Sequence, residues 1–580
     1  MPNCMEQVYS EEYYDFLIPY GVEAEVPSTP GCVQRIAEDY DIFFYPREGL
    51  PPLSIGNYTY TAIPKCYALL DTTALDASGI TRLQNQPVLA LKGEGVLVGI
   101  IDTGVDYTNP LFRYSDGSSR ILRIWDQTVQ DGTPPEGILY GAEYRKEEID
   151  EALQAERPYD VVPSRDENGH GTFVTGVVCG GEDIPNGFIG AVPNAGIAVV
   201  KLKEAKRYLR EFFFVPEGVP AYQETDLMMA VSYLNAVANV LNMPLVICLA
   251  LGNSMGGHGT DGPLSNFLNY ISTRRRRSIV TATGNEANTR HHFQGEIRRE
   301  MEYEDVEISV EQDMTGFFIE LWAGAPELYT ISVISPTGER LPKVPLRSGV
   351  SQTFRFVFEG TTVSVDYRIE TKETANQLIY LRFSDVRKGL WIVRVYPENL
   401  VSGNYNMWLP MQKLTDGNVI FLRSNPDTTL TAPGTAAQVI TVGGYQVSNN
   451  SMYADSGRGY TVAGEIKPDF AAPAVNVYGP GLRQNYVTYT GTSAAAAVTA
   501  GAVAQIMQWA LVQQNDPVMS NAAIKNMLIR GAKRSDDRGY PNRESLPVRS
   551  AGRARTTSGM ISPAFWMTTV SPTRMSLSRM

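Results

Sequence analysis

The chain has 580 residues, 43% of them hydrophobic and 19% charged, too long for one ordinary core and too apolar for a disordered chain, so roughly two to four domains are expected. A net charge of −13 argues against nucleic acid as the main partner. The N-terminal MPNCMEQVYSEEYYDF has neither the basic nor the apolar region of a secretory signal, and no stretch approaches the roughly 20 apolar residues of a membrane span, so a cytoplasmic protein with no membrane partner is expected.

Residues 1–70 mix aromatics, acids and prolines and read as a small N-terminal module. The five cysteines, Cys4, Cys32, Cys66, Cys179 and Cys248, are odd in number and lack C-x-x-C spacing. They are expected to be free thiols, mostly filling core. Over 71–292 short continuous apolar runs, GVLVGIID and PLVICLAL, read as strands buried on both faces of a parallel sheet. TDLMMAVSYLNAVANVL between them has helical spacing, which gives an α/β, doubly wound core.

The texture changes over 293–425. GFFIELWAG, YTISVISP, TFRFVFEG, TVSVDYRIE, LIYLRFS and GLWIVRVYP alternate and are rich in β-branched and aromatic residues, so an inserted all-β sandwich or jelly roll is expected. The α/β texture resumes over 426–544 with AAQVITVGGY and an Ala-rich helix that starts at Thr492. Residues 545–580 hold five arginines, no lysine and no acid, and read as an unpacked tail.

Four histidines make the search for a catalytic base short: His170, His258, His291 and His292. His170 stands in Asn168-Gly169-His170-Gly171-Thr172, where flanking glycines let other backbone approach the ring. Asp102 ends the strand GVLVGII, at the carboxyl end where α/β folds place their sites. Ser493 lies in Thr490-Gly491-Thr492-Ser493 ahead of an alanine run, at a helix start that favours developing negative charge. Taken singly, Asp102 and Ser493 read equally well as a turn former and a helix cap.

Together the three segments, IIDTGVDY, NGHGTFVTG and TGTSAAAA, resemble the signatures of the subtilase family in their order along the chain. The resemblance implies a serine endopeptidase with Asp102, His170 and Ser493 as its catalytic residues. It also implies that Asn285, in Ala282-Thr283-Gly284-Asn285-Glu286, supplies an oxyanion donor. Ala250-Leu251-Gly252 is similar to the family's substrate strand, and Ala282, Thr283 and Gly284 are placed beside it in the substrate-binding pocket. The β insert, the short leading module, SGITRLQN and NSMGGHGTDG are similar to the clostridial Csp germination proteases. That likeness implies a prodomain that is cut autocatalytically between about Tyr58 and Ala77 and acts as an intramolecular inhibitor. It further implies activation of a spore zymogen by limited proteolysis.

The partners expected are a protein or peptide substrate and the chain's own prodomain. No cofactor and no metal site is expected: His291-His292 has no third ligand nearby, and no D-x-D-x-D-G loop occurs. Arg274 to Arg277 read as a solvated helix C-terminus. The alternative reading is a catalytically silent scaffold on the same fold.

Overall fold

The structure is a computed structural model that describes residues 4–22, 30–37, 39–69, 80–84, 89–259, 262–349, 351–370, 376–415, 419–534 and 559–561. Its centre is a ten-stranded sheet. From Phe470–Pro473 the order runs through Ile440–Tyr445, Arg277–Ala282, Leu245–Leu249, Leu97–Asp102 and Gly196–Lys201 to Ile121–Asp126, and every one of these pairings is parallel. The strands Leu97–Asp102, Gly196–Lys201, Leu245–Leu249 and Arg277–Ala282 are buried at every position, which is why they read as unbroken apolar runs. After Leu97–Asp102 the chain adds strands on one side and then returns to add Leu245–Leu249 on the other. The carboxyl ends of these two neighbours therefore form the switch point where doubly wound folds open a crevice.

Two helices point their first residues at that crevice, His170–Cys179 and Thr492–Met507. Both are buried along their whole length and pack on each other. The second continues in a π-turn over Gln508–Val512, and the combined span is long and apolar enough to cross a membrane. This corrects the expectation that no stretch reaches such a length; 89% of the apolar window is buried inside the protein. The Ala and Gly residues let it thread the core: a Cβ on Gly501 would lie 2.1 Å from the Cβ of Ala191.

Residues 292–421 form two antiparallel sheets whose facing side chains share one core. One holds Met314–Ala323 beside Asn376–Val386, and the other holds Gly389–Asn399 between Leu328–Ile334 and Glu304–Val310. The leading residues form the helix Cys4–Tyr9 and a three-stranded antiparallel sheet, Tyr13–Pro19, Tyr40–Pro46 and Cys32–Ile36. Cys4 and Cys32 are joined by a disulfide, which corrects the expectation of free thiols for this pair. The helix lies against the sheet, so a tertiary contact, not a spacing motif, brings the two sulfurs together. Cys66, Cys179 and Cys248 are free and buried.

Two further expectations change. Arg277 is buried rather than solvated, with its Nε donating to Asn235 at 2.7 Å. Within the tail read as unpacked, Gly559–Ile561 forms a short strand between Phe470–Pro473 and Ala532–Arg534. An open sheet edge offers unpaired N–H and C=O groups that any extended segment can meet, whatever its composition.

Candidate active site

Asp102 is the last residue of its strand and is fully buried. One carboxylate oxygen accepts the N–H of Thr103 at 2.8 Å, and the two oxygens lie 2.8 and 2.9 Å from Nδ1 of His170. The contact depends on two glycines. Gly169 takes a left-handed conformation, φ 92°, and turns the chain into the helix. Gly171 lets that helix close onto the strand end, since a Cβ there would lie 2.1 Å from the Gly104 carbonyl and 3.1 Å from the Cβ of Asp102.

A residue that sequence reasoning missed holds this turn together. Asp166 is buried and accepts five hydrogen bonds, from the N–H groups of Asn168, Gly169 and Thr172 and from the hydroxyls of Thr103 and Thr172, at 2.7–3.1 Å. It caps the helix that begins at His170 and ties it to the Asp102 turn, a place where a carboxylate also meets the positive helix end. Its position four residues before His170 was the available signal.

Ser493 is the second residue of Thr492–Met507 and is fully buried. Its Oγ donates to the carbonyl of Ala250 at 3.4 Å. The Asn285 oxygen accepts both the N–H and the Oγ1 of Thr492, each at 3.1 Å. Two donors on one side require the amide oxygen there, so the NH2 occupies the other side of the amide. Ala282 ends its strand, Thr283 shares a hydroxyl contact with Ser456 at 3.2 Å, and Gly284 packs on Thr431. The remaining histidines are core side chains. His258 and His292 stack on Trp408, at 4.1 and 4.9 Å between ring centres. Burial pushes His258 down to about 3 and His291 down to about 4.

A strand of the chain itself lies beside this crevice. Cys66–Leu69 is the middle strand of a three-stranded antiparallel sheet. On one side it pairs with Leu251–Gly252, Leu69 opposite Leu251 and Ala68 opposite Gly252. On the other it pairs with Tyr222–Gln223. Main-chain pairing along both edges is how an extended peptide is seated by β-augmentation. Ser493 has no exposed surface and His170 is only 5% exposed.

The sequence model of the Subtilase family matches residues 93–377 and 402–546. A C5a peptidase of Streptococcus pyogenes serotype M1 is 21% identical over 454 residues, 73% of this chain and 35% of that protein. The chain thus spans about a third of the length of such curated relatives. The serine protease AprX of Bacillus subtilis is 33% identical over 135 residues, 20% of this chain and 29% of that protein. Among solved structures, the Clostridium perfringens CspB protease superposes with a TM-score of 0.74 at 30% identity, covering 85% of this chain and 97% of that one.

Proposed function

This chain belongs to the subtilase family of serine proteases, and from that premise we propose that it is a self-processing endopeptidase in which Asp102, His170 and Ser493 are the catalytic residues. The observation that carries the reading is the contact of Asp102 with His170 Nδ1 at the strand end, beside the helix that presents Ser493. In this reading Asp102 fixes the imidazole so that Nε2 takes the Ser493 proton as Oγ attacks the scissile carbonyl. The negative charge that develops on the carbonyl oxygen meets the Asn285 NH2 and the helix start. The proton then passes from His170 to the leaving amine, and water activated by His170 hydrolyses the acyl-enzyme.

The strand Cys66–Leu69 supports self-processing and inhibition by the leading module. Leu251, which pairs with Leu69, is followed towards the N-terminus by Ala250, whose carbonyl touches Ser493 Oγ, so the strand Cys66–Leu69 runs up to the proposed nucleophile. The proposed cut therefore follows closely on the strand Cys66–Leu69, inside the interval expected from the sequence. The two sheets of residues 292–421, read as a jelly roll, serve as a brace: Glu320 on one of them accepts the hydroxyl of Tyr60 at 2.8 Å. The likeness to the CspB protease supports limited proteolysis, with activation of a spore germination zymogen as the biological setting. The alternative, a silent scaffold, has less support because all three side chains are present. Expression of Ser493→Ala tests the reading. The variant is expected to remain uncut and to take up no fluorophosphonate label, whereas cutting at the wild-type place and rate would sink it.

A further inference from the structure

The core strand Tyr222–Gln223 pairs antiparallel with Cys66–Leu69, Tyr222 opposite Tyr67 and Gln223 opposite Cys66. It is two residues long, because the helix Glu224–Val240 begins directly after it. One place further along the ladder Lys65 faces Glu224, and its carbonyl accepts the backbone N–H of Glu224 at 2.8 Å. In a hydrogen-bonded antiparallel pair the second residue returns the bond with its own carbonyl. Glu224 is the first residue of its helix, and a helical carbonyl is turned along the axis towards the N–H four residues on. The side chain takes over: Oε2 of Glu224 accepts the N–H of Lys65 at 3.3 Å. A carboxylate thus stands in for the strand carbonyl that the helix has withdrawn.

The carboxylate is held for this task. Glu224 is 3% exposed, and its other oxygen accepts the N–H of Leu264 at 3.3 Å. Leu264 is the second residue of the helix Pro263–Thr273, so this N–H is one that a helix start leaves without a partner inside the helix. Glu224 also stands in the first turn of its own helix, where negative charge is favoured. The Lys65 side chain turns back on its own segment, its Nζ donating to the carbonyls of Tyr60 and Ile63 at 2.7 and 2.5 Å. What Glu224 binds at this place is main chain, through a donor and an acceptor on one residue.

We propose that Glu224 is a specificity-determining residue that clamps the main chain of a substrate at the place of Lys65, lengthening the peptide seat by one residue beyond Tyr222–Gln223. The inference rests on the reading of Cys66–Leu69 as the occupant of that seat. Such a clamp is indifferent to the side chain and reads whether an N–H is present. Extended segments with an ordinary residue at this place are accepted. Those with proline have no N–H to give, leave a buried carboxylate oxygen short of a donor, and are rejected. A hydrogen bond to a charged acceptor is among the stronger kinds, and this one lies well upstream of the cut, so its loss falls on substrate binding.

Two synthetic peptides spanning residues 60–75 test the clamp on the processed wild-type protein, one natural and one with the N–H of residue 65 replaced by an ester oxygen. The ester is expected to raise KM about tenfold and to leave kcat unchanged, and in Glu224→Ala the two peptides should agree within about twofold. A difference below about fivefold in the wild type, or one undiminished in Glu224→Ala, overturns the proposal. Should Glu224→Ala fail to fold, Glu224→Gln takes its place: its amide oxygen is a weaker, uncharged acceptor, and the difference is expected to shrink to about threefold. An undiminished difference there overturns the clamp as well. Without catalysis, hydrogen exchange of the Lys65 amide is measured in the full chain carrying Ser493→Ala, in which the segment stays attached. Adding Glu224→Ala is expected to speed that exchange at least tenfold, and unchanged exchange overturns the clamp. Failure of the endopeptidase reading shows separately, as absence of Ser493-dependent labelling.

Discussion

Asn285 holds its side-chain oxygen between two donors of one residue, the N–H and the Oγ1 of Thr492, each at 3.1 Å. The residue beside the proposed nucleophile thereby sets the direction of the proposed oxyanion donor. Asn285→Ala is expected to lower kcat by about 10²–10³ with little change in KM, the scale known for loss of this kind of donor in subtilisin. Thr492→Ala keeps the backbone donor and loses only the hydroxyl, so a fall of no more than about tenfold is expected. Steady-state kinetics on a cleaved peptide separate the two outcomes.

Asp102 offers both carboxylate oxygens to His170 Nδ1, at 2.8 and 2.9 Å. Asp102→Asn preserves shape but can present an NH2 where an acceptor is required, which disfavours the tautomer that leaves Nε2 basic. A loss of roughly 10⁴ in kcat near neutral pH is expected, with the melting temperature nearly unchanged. A variant that retained more than a tenth of the activity would remove Asp102 from the mechanism.

Glu286 follows Asn285, is buried, and accepts the N–H of Gln412 at 3.2 Å. Burial pushes its carboxyl up to about 7, helped by Asp455 and opposed by the Gln412 N–H, Thr289 and Lys413; His291 Nδ1 lies 3.9 Å away. A carboxyl with a raised folded value binds its proton more tightly in the folded than in the unfolded state. Its contribution is therefore fully present below the ordinary carboxyl range and is lost as pH climbs towards 7. Glu286→Gln is expected to remove this dependence, gaining up to roughly 3 kcal/mol relative to wild type at pH 8 and almost nothing at pH 4. Urea midpoints at the two pH values check it.

Asp15 and Lys206 form an ion pair of 2.6 Å between the leading module and the core, with both side chains nearly sealed from solvent. Gln223, on the strand that lines the crevice, donates to the second Asp15 oxygen at 2.9 Å. Burial pulls the Lys206 ammonium down, and the Asp15 charge opposes that shift. Asp15→Ala leaves a buried cation alone and is expected to weaken docking of the module by about 3–5 kcal/mol. Size-exclusion chromatography after cleavage should show the module dissociating, and peptide hydrolysis should rise. Combining Asp15→Ala with Lys206→Met should recover part of the docking, because no charge is then stranded.

Elements whose burial is symmetrical were legible from the chain. GVLVGIID and PLVICLAL are apolar throughout because both faces of Leu97–Asp102 and Leu245–Leu249 are covered. Asp102 and His170 could be paired because their segments together resemble the subtilase signatures in chain order, and Gly104 and Gly171 in those segments are what the close approach requires. Other features have no local signature. The Cys4–Cys32 bond joins a helix to a strand across a fold not yet formed, so spacing carries no trace of it. Glu224 and Glu320 lie almost a hundred residues apart along the chain, and only the fold brings one to the Lys65 N–H and the other to the Tyr60 hydroxyl. Asp166 looked like any loop acid, although its five hydrogen bonds organise the start of the His170 helix.

The middle place of Cys66–Leu69 in its small sheet also bears on self-association. Take that strand away, and Tyr222–Gln223, which pairs with Cys66 and Tyr67, and Leu251–Gly252, which pairs with Ala68 and Leu69, become two raw edges on opposite sides of the slot, offset along it. Such a slot accepts any extended chain, including one from a neighbouring molecule, and unpaired edges are where proteins begin to aggregate. A protein kept with residues 66–69 in place has both edges paired at this point. Losing the segment opens both edges at once, so self-association is expected to rise unless a peptide fills the slot.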